Sequence, residues 1–345
     1  MNEAFRILDA NVAHDRAEWE QIWAEWPERE VAAHPAYSEL FAAPNERVLA
    51  ATLATESGRI FYPFLLRVIP QNQFHETFYD VTTAYGYGGP SCFGEASAEV
   101  LADAFWSALD EWFVHERVVS EFIRFSLFSG ADSWYPGSVV ERQPNIVVPV
   151  DVDDDTLWRG FESKVRKNVK RARTSGVRIV VDSAGEALNE FLDVYHATMS
   201  RRHADEQFFY APEFFEYIHQ NLVGQFAYFH AYHDGAVISS ELVLVSADTV
   251  YSYLGGTRVE AFPYRPNDLL KYEIIRWARE QGKKRFVLGG GVSPGDGIER
   301  YKRAFFPDGS LPFKTGQRIL LPEVYRRLVD GSTAVRAGYF PEYRS

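Results

Sequence analysis

The chain has 345 residues, of which 46% are hydrophobic and 15% aromatic, and its formal net charge at pH 7 is −12. This composition is typical of a globular protein with a sizeable core, and the length allows about two domains. The negative charge argues against DNA as a partner, because the protein as a whole would repel phosphate, so a polyanion would need a local basic patch.

The N-terminal stretch MNEAFRILDANVAHDRAEWE is acidic and has no apolar signal core, and no apolar run of about 18 residues follows it. We therefore expect a cytoplasmic protein without a transmembrane segment, which leaves peripheral contact with a membrane open. The single cysteine, Cys92, excludes an intramolecular disulfide and a cysteine-based zinc site. We predict no metal site.

The first half of the chain predicts a mixed α/β unit. A strand RVLAATLA begins at Arg47, a turn follows at 56–58, and a second strand reads RIFYPFLLRVI. This is the pattern of a hairpin. The glycine-rich segment YGYGGP follows, then a helix over about 96–117 and the strand EFIRFSLF.

A strongly basic helix is predicted after the acidic stretch DVDDDTLW. Its apolar positions recur at intervals of three and four residues, so they form one buried stripe: Trp158, Phe161, Val165, Val169 and Ala172. The acidic residues 153–155 suit the positive end of its dipole. Basic residues cover its other faces and the residues beyond: Lys164, Arg166, Lys167, Lys170, Arg171, Arg173 and Arg178. They indicate either a solvated face that compensates the dipole or a binding surface for a polyanion.

The second half repeats the plan of the first. Helices near 187–202 and 212–222 precede the strand QFAYFHAYH, a turn at Asp234-Gly235, and the strands VISSELVLV and VYSYLGG. A helix over 266–281, the strand RFVLGGG and a loop carrying Tyr301 and Lys302 follow. The helices that start at 96 and 266 are about 170 residues apart, which indicates a duplication with a cleft between two domains.

The domain boundary is predicted in QPNIVVPVDVDDD, where a proline and a charge shift mark a joint. This gives a first domain over 1–150 and a second over 151–317, followed by a tail with a short helix around 323–328. The fold class is therefore α/β with mixed sheets in two tandem domains.

Several segments carry a resemblance to a known family. LGGT, PNDLLKYEIIRWA, FVLGGG and YKRAF in the second half, with YDVTTAYGYGGP and SKVRKNVKRARTSGV before them, resemble the FemAB-like transferases, a branch of the GNAT superfamily. The resemblance extends from about Tyr79 to Ile319. It implies two GNAT-like domains, with residues 318–345 packing on the first, and an acyltransferase without a resident cofactor. The reaction implied is transfer of an aminoacyl group from aminoacyl-tRNA to an amine of a peptidoglycan precursor or a similar small acceptor.

The resemblance also implies roles for individual residues. Lys302, preceded by Tyr301 where many relatives have Phe, matches a lysine that places positive charge near the oxyanion; the alternative is a surface lysine. Arg201 matches an arginine that contacts phosphate of the acceptor, and its neighbour Arg202 is the alternative. Asp80 either contacts the amine or fixes a loop. The predicted acceptor-binding residues are Arg201, Tyr210, Tyr251, Tyr253, Asp80, Tyr85 and Tyr87.

The basic helix then has a candidate partner in the acceptor stem of tRNA, through contacts to phosphate and 2′-OH groups that depend strongly on salt. The predicted tRNA-binding residues are Lys164, Arg166, Lys167, Lys170, Arg171, Arg173 and Arg303.

Coenzyme A is the alternative donor. GNAT enzymes that bind coenzyme A hold its pyrophosphate in a glycine-rich loop that opens a helix. The junctions GGTRVEAFPYRPNDLL and YGYGGPSCFGEASAEV lack that pattern, and Pro266 offers no N–H. Two alternatives therefore stand beside aminoacyl transfer. One is an acetyl-CoA-dependent N-acetyltransferase acting on an amino sugar or lipid-linked saccharide in surface polysaccharide synthesis, and the other is a non-catalytic member that binds RNA or a precursor.

Overall fold

The computed structural model of the protein describes residues 4–70, 76–332 and 338–345. The chain divides into two compact units. Unit 1 contains Met1–Pro27, Ala32–Arg142 and Phe313–Ser345, and unit 2 contains Glu28–Val31 and Gln143–Pro312.

Unit 1 is a mixed sheet with helices. Its strands are β1 (Ala4–Asp9), β2 (Arg47–Ala54), β3 (Gly58–Val68), β4 (Tyr79–Thr82), β5 (Ser91–Gly94) and β6 (Val118–Arg124), with the first part of β7 (Ser138–Pro149) and the last part of β13 (Ser310–Ile319). Its helices are α1 (Ala13–Glu25), α2 (Pro35–Glu39), α3 (Ala98–His115) and α10 (Pro322–Asp330). The strand order is β1-β2-β3-β4-β6-β13, and β5 pairs with β3. Strands β4 and β6 are parallel, while the other pairs within this order are antiparallel.

Unit 2 is built in the same way. Besides the rest of β7 and β13, its strands are β8 (Arg178–Asp182), β9 (Phe226–His233), β10 (Ala236–Val245), β11 (Thr249–Thr257) and β12 (Arg285–Gly289). Its helices are α4 (Asp154–Gly160), α5 (Ser163–Thr174), α6 (Leu188–Arg201), α7 (Pro212–Asn221), α8 (Pro266–Glu280) and α9 (Gly297–Arg303). The strand order is β7-β12-β11-β10-β9-β8, in which β11 and β12 are the parallel pair.

The two units repeat one connectivity, as the duplication predicted. An antiparallel hairpin, β2–β3 or β9–β10, leads to a strand, β4 or β11, and a long helix, α3 or α8, then connects that strand to a parallel neighbour, β6 or β12. A parallel pair needs such a crossover because its strands run in the same direction. In both units the carboxyl ends of the two parallel strands therefore lie at the same edge of the sheet.

Local sequence explains where many of these elements begin and end. Asp234 and Gly235 have φ angles of 49° and 80°, the left-handed geometry that a tight two-residue hairpin turn requires. Helix α8 begins at Pro266, as predicted, because proline suits the first helical position. The predicted hairpins and the helices at 96, 187, 212, 266 and 323 are confirmed within a few residues.

Each unit has its own hydrophobic core. In unit 2, residues such as Phe229, Ile274 and Phe286 pack with the three apolar residues that α5 buries, which are Val165, Val169 and Ala172. In unit 1, α3 buries Phe105, Leu109 and Phe113 against β2 and β3. Helix α5 therefore presents three residues of the predicted stripe to the core of unit 2, whereas Trp158 and Phe161 precede this helix.

The division between the units falls at 142/143, inside β7 and at the start of the segment QPNIVVPVDVDDD. Residues 313–345 all belong to unit 1. The predicted cleft between the domains stays a prediction. Within the three described ranges, no helix has the length and apolar character needed to cross a membrane.

Candidate active site

Unit 2 contains a cavity of about 790 Å³ at the point where its parallel strands separate. Strand β12 pairs with β11 at three positions, the last of which is Tyr251 with Val287. Beyond it, β11 continues to Thr257 and β12 ends at Gly289. The cavity is lined by the end of α6, by β10 and β11, by the start of α8 and by α9.

Lys302 lies in the wall of this cavity. It belongs to the last turn of α9, so the prediction that a loop carries Tyr301 and Lys302 is wrong. The helix forms because Asp296 caps it by accepting from Glu299 N, and the same carboxylate also accepts from Val292 N and Ser293 N. These bonds lower the pKa of Asp296 to about 2.

The ammonium group of Lys302 is partly buried and donates to the carbonyl oxygen of Gly290 at 2.7 Å. Burial, followed by the nearby charge of Lys271, lowers the pKa of Lys302 to about 8. Gly289 has a φ of 80°, and a Cβ atom there would lie 3.1 Å from Lys302 Nζ. Gly289, the last residue of β12, thus leaves room for the ammonium group.

A buried ion pair forms the base of the cavity. Lys271 on α8 donates to Glu241 Oε1 on β10 and, at 2.8 Å, to Ser252 Oγ on β11. Lys271 is 6% exposed and Glu241 is 5% exposed. Neither residue was predicted from the sequence, although a charged side chain within an apolar strand or on the apolar face of a helix was a detectable signal.

Tyr301 also lines the cavity. Its buried hydroxyl oxygen has no hydrogen-bond partner within the part of the chain that the structure describes. Burial, followed by the charges of Asp268 and Glu241, raises the pKa of Tyr301 well above its usual value. The hydroxyl therefore stays protonated and is an available donor in the cavity wall.

Two predicted acceptor-binding residues line the cavity, Arg201 and Tyr253, together with the alternative Arg202. The guanidinium of Arg201 lies 4.9 Å from the ring centre of Phe262 and donates to the carbonyl of Thr257 at 3.4 Å. Tyr210 stacks on Phe214 at 4.1 Å and does not line the cavity.

Tyr251 and Tyr253 do not share a face, although residues two positions apart on a regular strand would do so. Leu242 pairs with Leu254 and Val243 pairs with Ser252, so Tyr253 is an extra residue at a β-bulge. A bulge interrupts the alternation of side chains. Tyr253 lines the cavity, whereas Tyr251 is buried and donates to Glu30 Oε2 at 2.8 Å.

The remaining predicted acceptor residues lie in unit 1 and do not line the unit 2 cavity. Asp80 is fully buried and accepts from Arg67, Tyr343 and Arg344. Tyr85 is 50% exposed. Tyr87 packs edge-on against Phe313 with ring centres 5.6 Å apart.

The predicted basic helix is two helices, α4 and α5, with extended residues at 161–162 between them. Residues 153–155 therefore begin α4 and not the basic helix, and Asp153 is its N-cap. Arg166 donates to the carbonyls of Arg159 and Phe161 at the end of α4. Its guanidinium thus satisfies helix-end acceptors that would otherwise be unpaired.

The other predicted tRNA-binding residues fall into two groups. Arg173 pairs with Glu273 at 2.7 Å, Arg303 pairs with Glu299 at 2.6 Å, and Lys164 lies 3.7 Å from Glu162. Three exposed residues of α5 have no ion pair with any described residue: Lys167, Lys170 and Arg171. These three form the exposed basic face of α5.

The chain was compared with known proteins. A family model described as Acetyltransferase (GNAT) domain matches residues 159–303, which include the cavity residues from Arg201 to Lys302. No curated protein sequence matches the chain significantly. This segment is similar to GNAT acetyltransferase domains, and the chain is an acyltransferase.

Solved structures extend the likeness to both units. FemX is 14% identical with a TM-score of 0.71, covering 94% of this chain and 99% of FemX. L-PGS from Bacillus licheniformis is 15% identical with a TM-score of 0.54, covering 89% of this chain and 94% of that one. A tandem GNAT protein from the clavulanic acid biosynthesis pathway is 11% identical with a TM-score of 0.51, covering 92% of this chain and 99% of that one. The chain thus has the tandem GNAT fold, as the sequence predicted.

Proposed function

We propose that the protein forms an amide by transferring an aminoacyl group from aminoacyl-tRNA to an amine of a cell-wall precursor or a similar small acceptor. The observation that carries this proposal is the partly buried Lys302 ammonium in the wall of the unit 2 cavity, which has no acidic partner within the described residues. The FemAB-like motifs and the fold shared with FemX support an acceptor from cell-wall synthesis.

In the proposed reaction, the acceptor nitrogen attacks the ester carbonyl of the donor and forms the new C–N bond. The carbonyl oxygen becomes an oxyanion, which the ammonium of Lys302 stabilises electrostatically. The intermediate collapses by breaking the C–O bond to tRNA. The attacking amine loses one proton and the departing tRNA hydroxyl gains one, so the overall reaction neither consumes nor releases a proton. The Tyr301 hydroxyl can donate a hydrogen bond to an oxygen in the cavity.

The pKa of Lys302 predicts a specific pH dependence. Stabilisation of an oxyanion requires the protonated lysine, so we expect kcat/KM to fall as the pH rises through about 8. In a Lys302→Arg variant, whose guanidinium stays charged, residual activity should show no such decrease. A pH profile of kcat/KM for both proteins tests this. If kcat/KM instead increases through pH 8 in the wild type but not in Lys302→Arg, the neutral amine of Lys302 acts as a base.

Two features support aminoacyl-tRNA over acyl-CoA. The exposed basic face of α5 has three cations without ion pairs to described residues in a protein of net charge −12, which suits a local contact with phosphate. Helix α8, where a pyrophosphate would be expected, begins with Pro266 and has the carboxyl group of Asp268 in its first turn. That end of the helix therefore offers fewer N–H groups to an anion, and a carboxyl group is already near it.

Binding of aminoacyl-tRNA tests the donor. A variant with Lys167, Lys170 and Arg171 all changed to glutamine should bind tRNA more weakly. The slope of log affinity against log salt concentration should also become shallower by about two to three. A control with Arg6, Arg47 and Arg117 changed to glutamine has the same net charge but replaces exposed arginines that are ion-paired in unit 1. Equal tRNA affinity and salt dependence in both triple variants would exclude the exposed basic face of α5 as the tRNA contact.

The matched domain is described as an acetyltransferase, and this favours acyl-CoA-dependent N-acetylation as the second candidate. Acetyl-CoA would then raise the melting temperature by mass action, and would do so equally in the wild type and in the α5 triple variant. A shift with aminoacyl-tRNA at low salt but not at high salt, and none with acetyl-CoA, would support the first candidate.

A further inference from the structure

A second group of cations lies in unit 1. Arg67 and Arg344 both bind the buried carboxylate of Asp80, so two guanidinium groups already share one negative charge. Arg124 lies close enough to Arg67 for their positive charges to repel. No acidic side chain among the described residues lies within ion-pair distance of Arg124, whereas the other two arginines have their ion pair with Asp80. This region of an acidic protein therefore carries an excess of positive charge.

Arg124 uses only part of its hydrogen-bonding capacity. Its Nη1 atom donates to Thr82 Oγ1 and to the carbonyl of Thr83, each at 3.3 Å, and its Cζ atom lies 4.9 Å from the ring centre of Phe122. Its Nε and Nη2 atoms make no hydrogen bond with any described residue. Burial, followed by repulsion from Arg67, lowers the pKa of Arg124. A partly buried cation without a counter-charge is costly in free energy, which an anionic ligand would offset.

The position of Arg124 in the fold is one where ligands commonly bind. Arg124 is the last residue of β6 and Thr82 is the last residue of β4, and these two strands are parallel neighbours. Ligands of α/β proteins bind preferentially at the carboxyl ends of parallel strands. The glycine-rich loop after β4 lies beside this end, because Gly88 N donates to the carbonyl of Arg124 at 2.8 Å.

Two tyrosine rings border the same place. Tyr85 and Tyr339 both lie near the Arg124 guanidinium, and they are 50% and 44% exposed. Exposed aromatic rings beside a cation provide an apolar surface for the uncharged part of a ligand. A second tyrosine of the loop, Tyr87, is not needed for this surface because its ring packs on Phe313.

We propose that Arg124 forms an oxyanion-binding site in unit 1, which binds the phosphate or carboxylate group of a small molecule whose ring packs on Tyr85 and Tyr339. The Nε and Nη2 atoms of a guanidinium form the edge that binds two oxygens of one anion at the same time. Arg124 and Tyr339 have no role assigned to them in acyl transfer, whereas Tyr85 is also a predicted acceptor-binding residue. The proposal does not depend on the identity of the acyl donor.

Phenyl phosphate, benzoate and inorganic phosphate are suitable probes, with affinities measured by NMR titration at low salt. The parent protein carries Arg201→Gln and Arg202→Gln, which removes two cations of the unit 2 cavity from the measurement. We expect Arg124→Gln in this parent to weaken phenyl phosphate binding about 10- to 100-fold, because it removes charged hydrogen bonds. Arg59→Gln, a unit 1 arginine on β3 outside this group, is the matched control and should leave the affinity unchanged.

Each remaining outcome is informative. Tighter binding of phenyl phosphate than of benzoate assigns the site to phosphates, and the reverse assigns it to carboxylates. Tyr85→Ala changes an exposed side chain and should weaken phenyl phosphate binding without affecting inorganic phosphate. No binding to the parent, or equal affinity in the parent and in folded Arg124→Gln, would overturn the proposal. If Arg124→Gln fails to fold, equal affinity of Tyr85→Ala and its parent for phenyl phosphate overturns it instead.

Discussion

Replacing Lys302 with alanine is expected to lower kcat about 10²- to 10³-fold, the usual effect of removing one donor that stabilises an oxyanion. The ammonium lies in the wall of the unit 2 cavity and is held by the carbonyl of Gly290, so no neighbouring cation takes its place without rearrangement. The loss should appear in kcat more than in KM, because the charge acts on the transition state and less on the bound substrate. Steady-state kinetics of the variant measures this split.

Folding is not expected to account for that loss. A lysine whose pKa is lowered from 10.5 to about 8 in the folded state binds its proton less tightly there than in the unfolded chain. Its contribution to stability is therefore unfavourable at neutral pH and improves as the pH rises from about 8 toward 10.5. Lys302→Met should thus be at least as stable as the wild type at pH 7.

The matched control for Lys302 is Lys284→Ala, which removes a lysine of unit 2 that is exposed and paired with Asp248. This variant should keep full activity. If Lys302→Ala and Lys284→Ala have the same turnover, Lys302 is an ordinary surface lysine and has no part in the reaction.

Replacing Lys271 with methionine is expected to destabilise the protein by about 3–5 kcal/mol, because it leaves the carboxylate of Glu241 buried without a counter-charge. Lys284→Met breaks an exposed ion pair with Asp248 and should change the stability far less, because water screens that pair. Urea unfolding of both variants gives the two free energies of unfolding. Similar values would show that the Lys271–Glu241 pair is not desolvated in the way the structure indicates.

Two further measurements separate the parts of this effect. A Glu241→Gln and Lys271→Met double variant removes both charges and should recover part of the lost stability, since no buried charge is left unpaired. In folded Lys271→Met, which keeps Glu241, the pKa of Lys302 should be higher, because the Lys271 charge is the second cause of its decrease. The decrease of kcat/KM at alkaline pH would then move to higher pH.

The residues of the candidate site were predictable to different degrees. Tyr301, Lys302 and Arg201 lie in recognisable motifs, and all three line the cavity. Glu241 and Lys271 lie in segments that read as a buried strand and a buried helix face, so their charges were visible but their pairing was not. Residues 30 positions apart form this pair because β10 and α8 pack together.

The tyrosines of β11 show a different limit. Alternation places Tyr251 and Tyr253 on one face, but the register with β10 shifts by one residue between them. A bulge depends on how the partner strand fits, and no local pattern in VYSYLGG reveals it. The basic residues after position 163 are similar, since Arg166 binds the end of α4 and Arg173 binds α8 while their neighbours stay exposed.

The sequence by itself determined many of the elements, the duplicated mixed α/β plan and the motifs that contain Tyr301 and Lys302. These follow from hydrophobic periodicity, turn residues and glycine positions, which act over a few neighbouring residues. Only the tertiary structure decided that β11 and β12 separate to leave a cavity, that Lys271 is neutralised by Glu241, and which basic residues of α5 stay exposed. Those outcomes depend on burial and on contacts between distant segments, because these set the cost of each charge and select its partner.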